Sequence, residues 1–217
     1  MTPHDRLLAA TEAARTEFMG IPLLARALAG EVPRTLYLAF LAQAYHHVHH
    51  TCPLLSLAAA KTQDGEYRRA LYAYIGEERG HENWIAADIA ALGGVTEPAR
   101  FTAPGTACRA MVGYAYYAIE WISPYALLGM VHVLEGTSAR LASKAAAALK
   151  KSFGLADDKG FSYLLTHGDL DTDHVAFFRD LVNRLDAPSA AIEPIIDCAN
   201  VIYRLYGDIF RDLERGA

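Results

Sequence analysis

Three stretches of this chain put carboxylates and imidazoles at spacings that can hold a metal ion. The first is Glu77-Glu78-Arg79-Gly80-His81-Glu82. Each residue of an α-helix turns by about 100°, so Glu78 and His81 are expected about 60° apart on one surface, both within reach of one ion; Glu77, a turn before His81, competes for the same role. The second is His167-Gly168-Asp169-Leu170-Asp171-Thr172-Asp173-His174, in which His167, Asp171 and His174 fall within a roughly 60° sector of a helix. Two imidazoles and a carboxylate suit ferrous iron that must keep positions open for dioxygen or substrate. The third is Glu135, in the apolar run Met130-Val131-His132-Val133-Leu134-Glu135-Gly136. Burying an unpaired carboxylate is costly, and a ligand role would explain this one. Glu120 poses the same puzzle and is the substitute.

Together Glu78, His81, Glu135, His167, Asp171 and His174 supply three negative charges and three neutral donors. That set compensates most of the charge of two Fe(II) ions and exceeds what one zinc site needs. Two metals can share a bridging carboxylate, and Glu135 is the expected bridge and the catalytic carboxylate. Several other residues are candidates for the pocket wall or for bracing a ligand. His46 and His49 lie in the cluster Tyr45-His46-His47-Val48-His49-His50, and His132 precedes Glu135 by one turn. Tyr114 and Trp121 belong to a stripe with Met111 and Ala118 at helical spacing, which reads as core or as the wall of an apolar substrate chamber.

The elements that must position these groups read as seven helices. The first covers about 3–18, and a turn at 21–30 leads to a second from Pro33 through Val48, which Pro53 kinks or breaks before 54–61. A third opens near Asp64 and ends at Gly93-Gly94, a fourth runs from Pro104 or Thr106 to Ile122, and Ser123-Pro124 starts a fifth ending near Ser152. A sixth starts at Asp157 or Asp158, bends near Gly168 and continues to about Leu185, and a last follows Pro188 to Leu213. The fold class is therefore all-α, a bundle-like single domain over 1–217 with no linker or repeat.

Composition narrows the function. The 217 residues are 53% hydrophobic and 21% charged, with 20 basic and 25 acidic side chains and a formal charge of −5. That balance offers no basic stripe for phosphates, so no nucleic-acid partner is expected. The apolar stretch 110–134 is interrupted by Glu120 and Pro124, which argues against a membrane span. The start lacks the pattern of a signal peptide, and Cys52, Cys108 and Cys198 are odd in number and far apart. A cytoplasmic protein with reduced thiols is expected.

The Glu-x-x-His on one helix, the isolated Glu135 on a later one and His-x3-Asp-x2-His on another resemble the haem-oxygenase-like di-iron oxidase family of iron-containing redox enzymes. That family shares its fold with the TenA thiaminases and the pyrroloquinoline-quinone synthesis oxidase. The resemblance in helix order covers nearly the whole chain. It implies a seven-helix haem-oxygenase-like bundle, two Fe(II) ions held by the six residues, and dioxygen as co-substrate. It also implies oxidation of a small organic acid or amine, for example one derived from a fatty acid or an amino acid. Members decarboxylate fatty acids to terminal alkenes, N-oxygenate, or cleave amino-acid-derived skeletons, so the family leaves the substrate open. A loosely held cofactor is also implied, consistent with Gly168 inside the last motif. An external electron donor and a homodimer are further expectations, the dimer on base rates alone. The competing readings are a metal-independent TenA-like hydrolase, with Cys108 or Cys198 as nucleophile in its thiaminase form, a cofactorless oxidase of the same fold, and a haem or iron carrier with one axial histidine.

Overall fold

The computed structural model describes the backbone of residues 1–95, 97, 102–185 and 188–216, and their side chains apart from those of 167–174, 188 and 189. The described residues form eleven α-helices: α1 (Pro3–Ala10), α2 (Glu12–Met19), α3 (Pro22–Ala29), α4 (Arg34–Val48), α5 (Thr51–Lys61), α6 (Gly65–Glu78), α7 (His81–Ala91), α8 (Thr106–Tyr117), α9 (Leu127–Ser152), α10 (Ser162–Arg184) and α11 (Pro188–Arg215). The all-α class is as expected. The larger count arises because several expected helices are broken by local chemistry.

The first expected helix divides at Thr11, which is fully buried and turns its hydroxyl back to the Leu7 carbonyl, 2.8 Å away. The expected turn at 21–30 is instead α3, started by Pro22 in its first turn and closed by Gly30 at φ 74°. The break assigned to Pro53 falls earlier, at His49 and His50. A proline lacks the N–H for the residue four before it and clashes with that carbonyl, here that of His49. Pro53 itself sits in the first turn of α5. The third expected helix divides between α6 and α7 at Arg79, which is extended at ψ 116°, and Gly80, at φ 95°. The sixth starts later than expected, at Ser162, and its backbone passes through Gly168 as continuous helix.

Between α8 and α9 lie a wide π turn (Ala118–Ile122) and a 3-10 turn (Pro124–Ala126) capped by the Ser123 hydroxyl. The wide turn breaks the 3.6-residue phase of the stripe on α8. Met111 and Ala118 stay fully buried, whereas Trp121 is 74% exposed.

Helix α9 is the axis of the molecule, packed against α10, α11 and α3. Its contact with α11 is close because Gly129 has no Cβ. One added there would stand 2.7 Å from the Ala199 amide nitrogen and closer still to the Ile195 carbonyl. Leu127, Leu128, Val133 and Leu149 of α9 join Ile195, Ile202 and Phe210 of α11 and Leu41 and Phe161 in one continuous core. No helix among the described residues is long and apolar enough to cross a membrane.

Candidate metal centre

Glu78 ends α6 and His81 begins α7, so the rotation of a continuous helix does not bring them together. The break does. Arg79 extends the chain and Gly80 turns it in the left-handed region, and His81 Nδ1 then stands 3.2 Å from Glu78 Oε2. Both are buried, 3% and 5% exposed, and the His81 ring stacks on Trp84 with centroids 4.0 Å apart. Glu77, the competing candidate, is exposed.

Glu78 faces a cavity of about 160 Å³ bounded by α3, α4, α5, α6, α9, α10 and α11. Glu135 of α9 reaches the same cavity, and the Tyr74 hydroxyl donates to its Oε1. Tyr74 lies one turn before Glu78 on α6 and is also on the wall, so α6 supplies both a carboxylate and the phenol that holds the opposing carboxylate. Tyr74 carried no signal in the sequence beyond its i, i+4 spacing to Glu78. His47 is the other residue that sequence reasoning missed. It is 4% exposed, lines the cavity and meets Tyr206 edge-on. It falls in the inward stripe of α4 with Leu36, Phe40 and Ala44, a placement that could have separated it from its neighbours.

Other candidates lie elsewhere. His46 Nε2 is 2.7 Å from the Thr102 carbonyl, and His49 is exposed and stacked on Tyr45. Neither lines the cavity: His46 precedes the break and points off the inward face of α4, and His49 stands at the break itself. Tyr114 donates to Asp197 at 3.2 Å on the outer side of α8, and Trp121 is displaced by the π turn. Glu120, the substitute candidate, pairs with Lys61 at the surface and does not line the cavity. His132 is buried but faces Phe178 and Tyr203 on the side of α9 away from the cavity wall. The side chains of His167, Asp171 and His174 lie outside the described residues, although the backbone carrying them is helical.

The start of α10 is fixed from a distance. Asp88 of α7 is 2% exposed and accepts from the Ser162 amide at 3.0 Å, the Ser162 hydroxyl at 2.7 Å and the Tyr163 amide at 2.8 Å. The first N–H groups of a helix lack partners within it, and a carboxylate there also meets the positive end of the helix dipole. Asp88 thus caps α10 through space.

No three His, Cys, Asp or Glu side chains among the described residues form a metal-binding group. The donors present nevertheless fit a cation. Glu78 Oε1 is buried without a hydrogen-bond partner, an arrangement that costs free energy until a positive charge or a donor meets it. The thiols suit nucleophilic work poorly. Burial pushes Cys198 up to about 12 and Cys108 up to about 11, and neither lines this cavity.

A helical bundle whose interior cavity carries two carboxylates from facing helices defines the class, and comparison with known proteins places it further. A family model described as iron-containing redox enzyme matches residues 38–207, a span that includes all six expected ligand positions. The chain belongs to that family. No curated protein matches the sequence. Among solved structures, a domain of unknown function with a haem-oxygenase-like fold from Shewanella denitrificans is similar at a TM-score of 0.87 and 17% identity, covering 100% of this chain and 93% of that one. A TenA homologue from Pseudomonas syringae pv. tomato is similar at 0.78 and 13%, covering 97% and 92%. Haem oxygenase-1 from the cyanobacterium Synechocystis, in complex with haem, is similar at 0.78 and 16%, covering 100% and 94%. At these identities the likenesses establish the haem-oxygenase-like fold.

Proposed function

We propose that this protein is an iron- and dioxygen-dependent oxidase of a small organic acid or amine, with two Fe(II) ions held by Glu78, His81, Glu135, His167, Asp171 and His174. The observation that carries this reading is the buried Glu78 carboxylate, with one oxygen beside His81 Nδ1 and the other without a partner, facing a cavity that Glu135 enters from the opposite helix. The match to the iron-containing redox family supports it.

Bound iron would supply the activation of dioxygen. The chain's own residues do the rest. Glu78 and Glu135 bring negative charge into an apolar chamber where it compensates a cation strongly. The Tyr74 hydroxyl orients one Glu135 oxygen and holds a proton there. Leu54, Leu55, Met130 and Leu134 keep bulk water away from the carboxylates. An external electron donor and a homodimer remain part of the proposal.

Anaerobic titration of the metal-free protein with Fe(II) tests it. About two equivalents should bind per chain, and Glu78→Ala should weaken uptake by at least about tenfold. Absence of uptake, or uptake indifferent to Glu78→Ala, would overturn the assignment.

A further inference from the structure

On the side of α9 turned away from the cavity, three helices gather hydrogen-bond donors that the metal centre does not use. His132 of α9 is 8% exposed, and its ring centroid stands 5.8 Å from that of Phe178 and 6.2 Å from that of Tyr203. Its Nε2 is buried and has no hydrogen-bond partner. The same holds for Nη1 of Arg15 on α2, whose guanidinium lies beside the Tyr203 phenol of α11. Arg140, about two turns beyond His132 on α9, acts on the same phenol and is exposed. Midway between them Gly136 contributes no side chain, and a Cβ built there meets nothing within 4 Å among the described residues. The result is a recess with two orphaned nitrogens at its floor and a guanidinium at its mouth.

The charge around this recess is uncompensated. The charges that act on His132 are those of His4, Arg15 and Arg140, all of one sign. Among the described residues no carboxylate pairs with Arg15 or Arg140. Asp5, which acts on His4, accepts from the Thr2 amide, and Arg179, the other charge on His4, pairs with Asp180. A buried guanidinium N–H without an acceptor is costly, and clustered positive groups repel one another. Water would satisfy the nitrogens but leave the charge; an anion answers both.

From this we infer that the recess binds a tetrahedral oxyanion, the phosphate group of inorganic phosphate or of a small phosphate monoester. Arg15 Nη1, the Arg140 guanidinium, the Tyr203 hydroxyl and His132, in the tautomer that carries its proton on Nε2, offer donors from three helices. That is more than the two oxygens of a carboxylate accommodate, and it suits the four of phosphate. None of these four residues lines the cavity that holds Glu78 and Glu135, so the site stands apart from the oxidase reading.

The test is calorimetric titration of the metal-free full-length chain at pH 7.5 with phosphate, sulfate, methyl phosphate and acetate, ionic strength being held constant with potassium chloride. Phosphate should bind saturably at one site per chain, at millimolar concentration or below, and at least about tenfold more tightly than acetate. Sulfate should compete with it. Tighter binding of methyl phosphate assigns the site to a phosphorylated organic molecule, and tighter binding of phosphate assigns it to the free ion. Arg15→Gln should weaken binding at least about tenfold. Arg140→Glu, a change at an exposed position, sets a tethered carboxylate at the mouth and should abolish it, whereas Glu78→Ala should leave it unchanged. In protein labelled at histidine, phosphate should move the imidazole signal that is missing from His132→Gln. Heat no greater than that of chloride, acetate binding as tightly as phosphate, or phosphate binding unaltered in folded Arg15→Gln and Arg140→Glu would overturn the proposal and leave a recess filled by water. If neither variant folds, the His132 signal of the wild-type chain decides.

Discussion

At the scale of single residues, the cavity gathers Glu78 and Glu135 from different helices. Glu135 stood out because an ionised group in an apolar run needs a reason, and Glu78 because it shares a spacing with His81. Among the histidines, the spacings within the cluster do not separate His47, which faces the cavity, from His46, which is held by the Thr102 carbonyl; the phase of His47 with Leu36, Phe40 and Ala44 does. His132 shows how a buried imidazole acts when it is not on the wall. Burial chiefly, with the positive charges of His4, Arg15 and Arg140, pushes it from 6.5 down to about 4, and its Nε2 has no partner. The unfolded chain takes up this proton near pH 6.5, whereas the folded one does so only near 4. Between those values the unfolded state binds more protons, so stability falls as pH falls, by on the order of 3 kcal/mol in all. His132→Phe should flatten that part of the profile, which urea unfolding midpoints between pH 7 and 4 would read; an unchanged slope would refute the assignment.

At the scale of elements, the helices were legible wherever capping and apolar spacing agreed, as at Thr2-Pro3 or Ser123-Pro124. Breaks inside helical patterns were not. Gly80 falls inside the single helix expected from Asp64 to Gly93-Gly94, yet its φ of 95° is what carries His81 back to Glu78. The π turn at Ala118–Ile122 was equally hidden, since one extra residue per turn leaves no compositional mark, and it moved Trp121 from the expected pocket to the surface. Gly80→Ala forces a side chain into the left-handed region and should cost about 1–2 kcal/mol. It should also weaken Fe(II) binding through His81, which is separable from the stability loss by titrating at a temperature where the variant is fully folded.

At the scale of the whole molecule, the fold class followed from composition and periodicity, while the close approach of α9 and α11 did not, because it depends on which helices cross at Gly129. Gly129→Ala would press a methyl group onto the backbone of α11 at Ile195 and Ala199 and should destabilise by about 3 kcal/mol. Gly136→Ala, on the same helix with nothing within 4 Å of its added Cβ, should be neutral or slightly stabilising. Comparative thermal unfolding of the two variants would distinguish a close crossing from ordinary helix propensity. The three hydrogen bonds that Asp88 accepts from Ser162 and Tyr163 tie two remote parts of the chain into one mechanical unit. The helix that opens with His81 grips the head of the one bearing His167, Asp171 and His174, so the two sets of proposed ligands share a common anchor, and any sliding of one helix relative to the other must first break that grip.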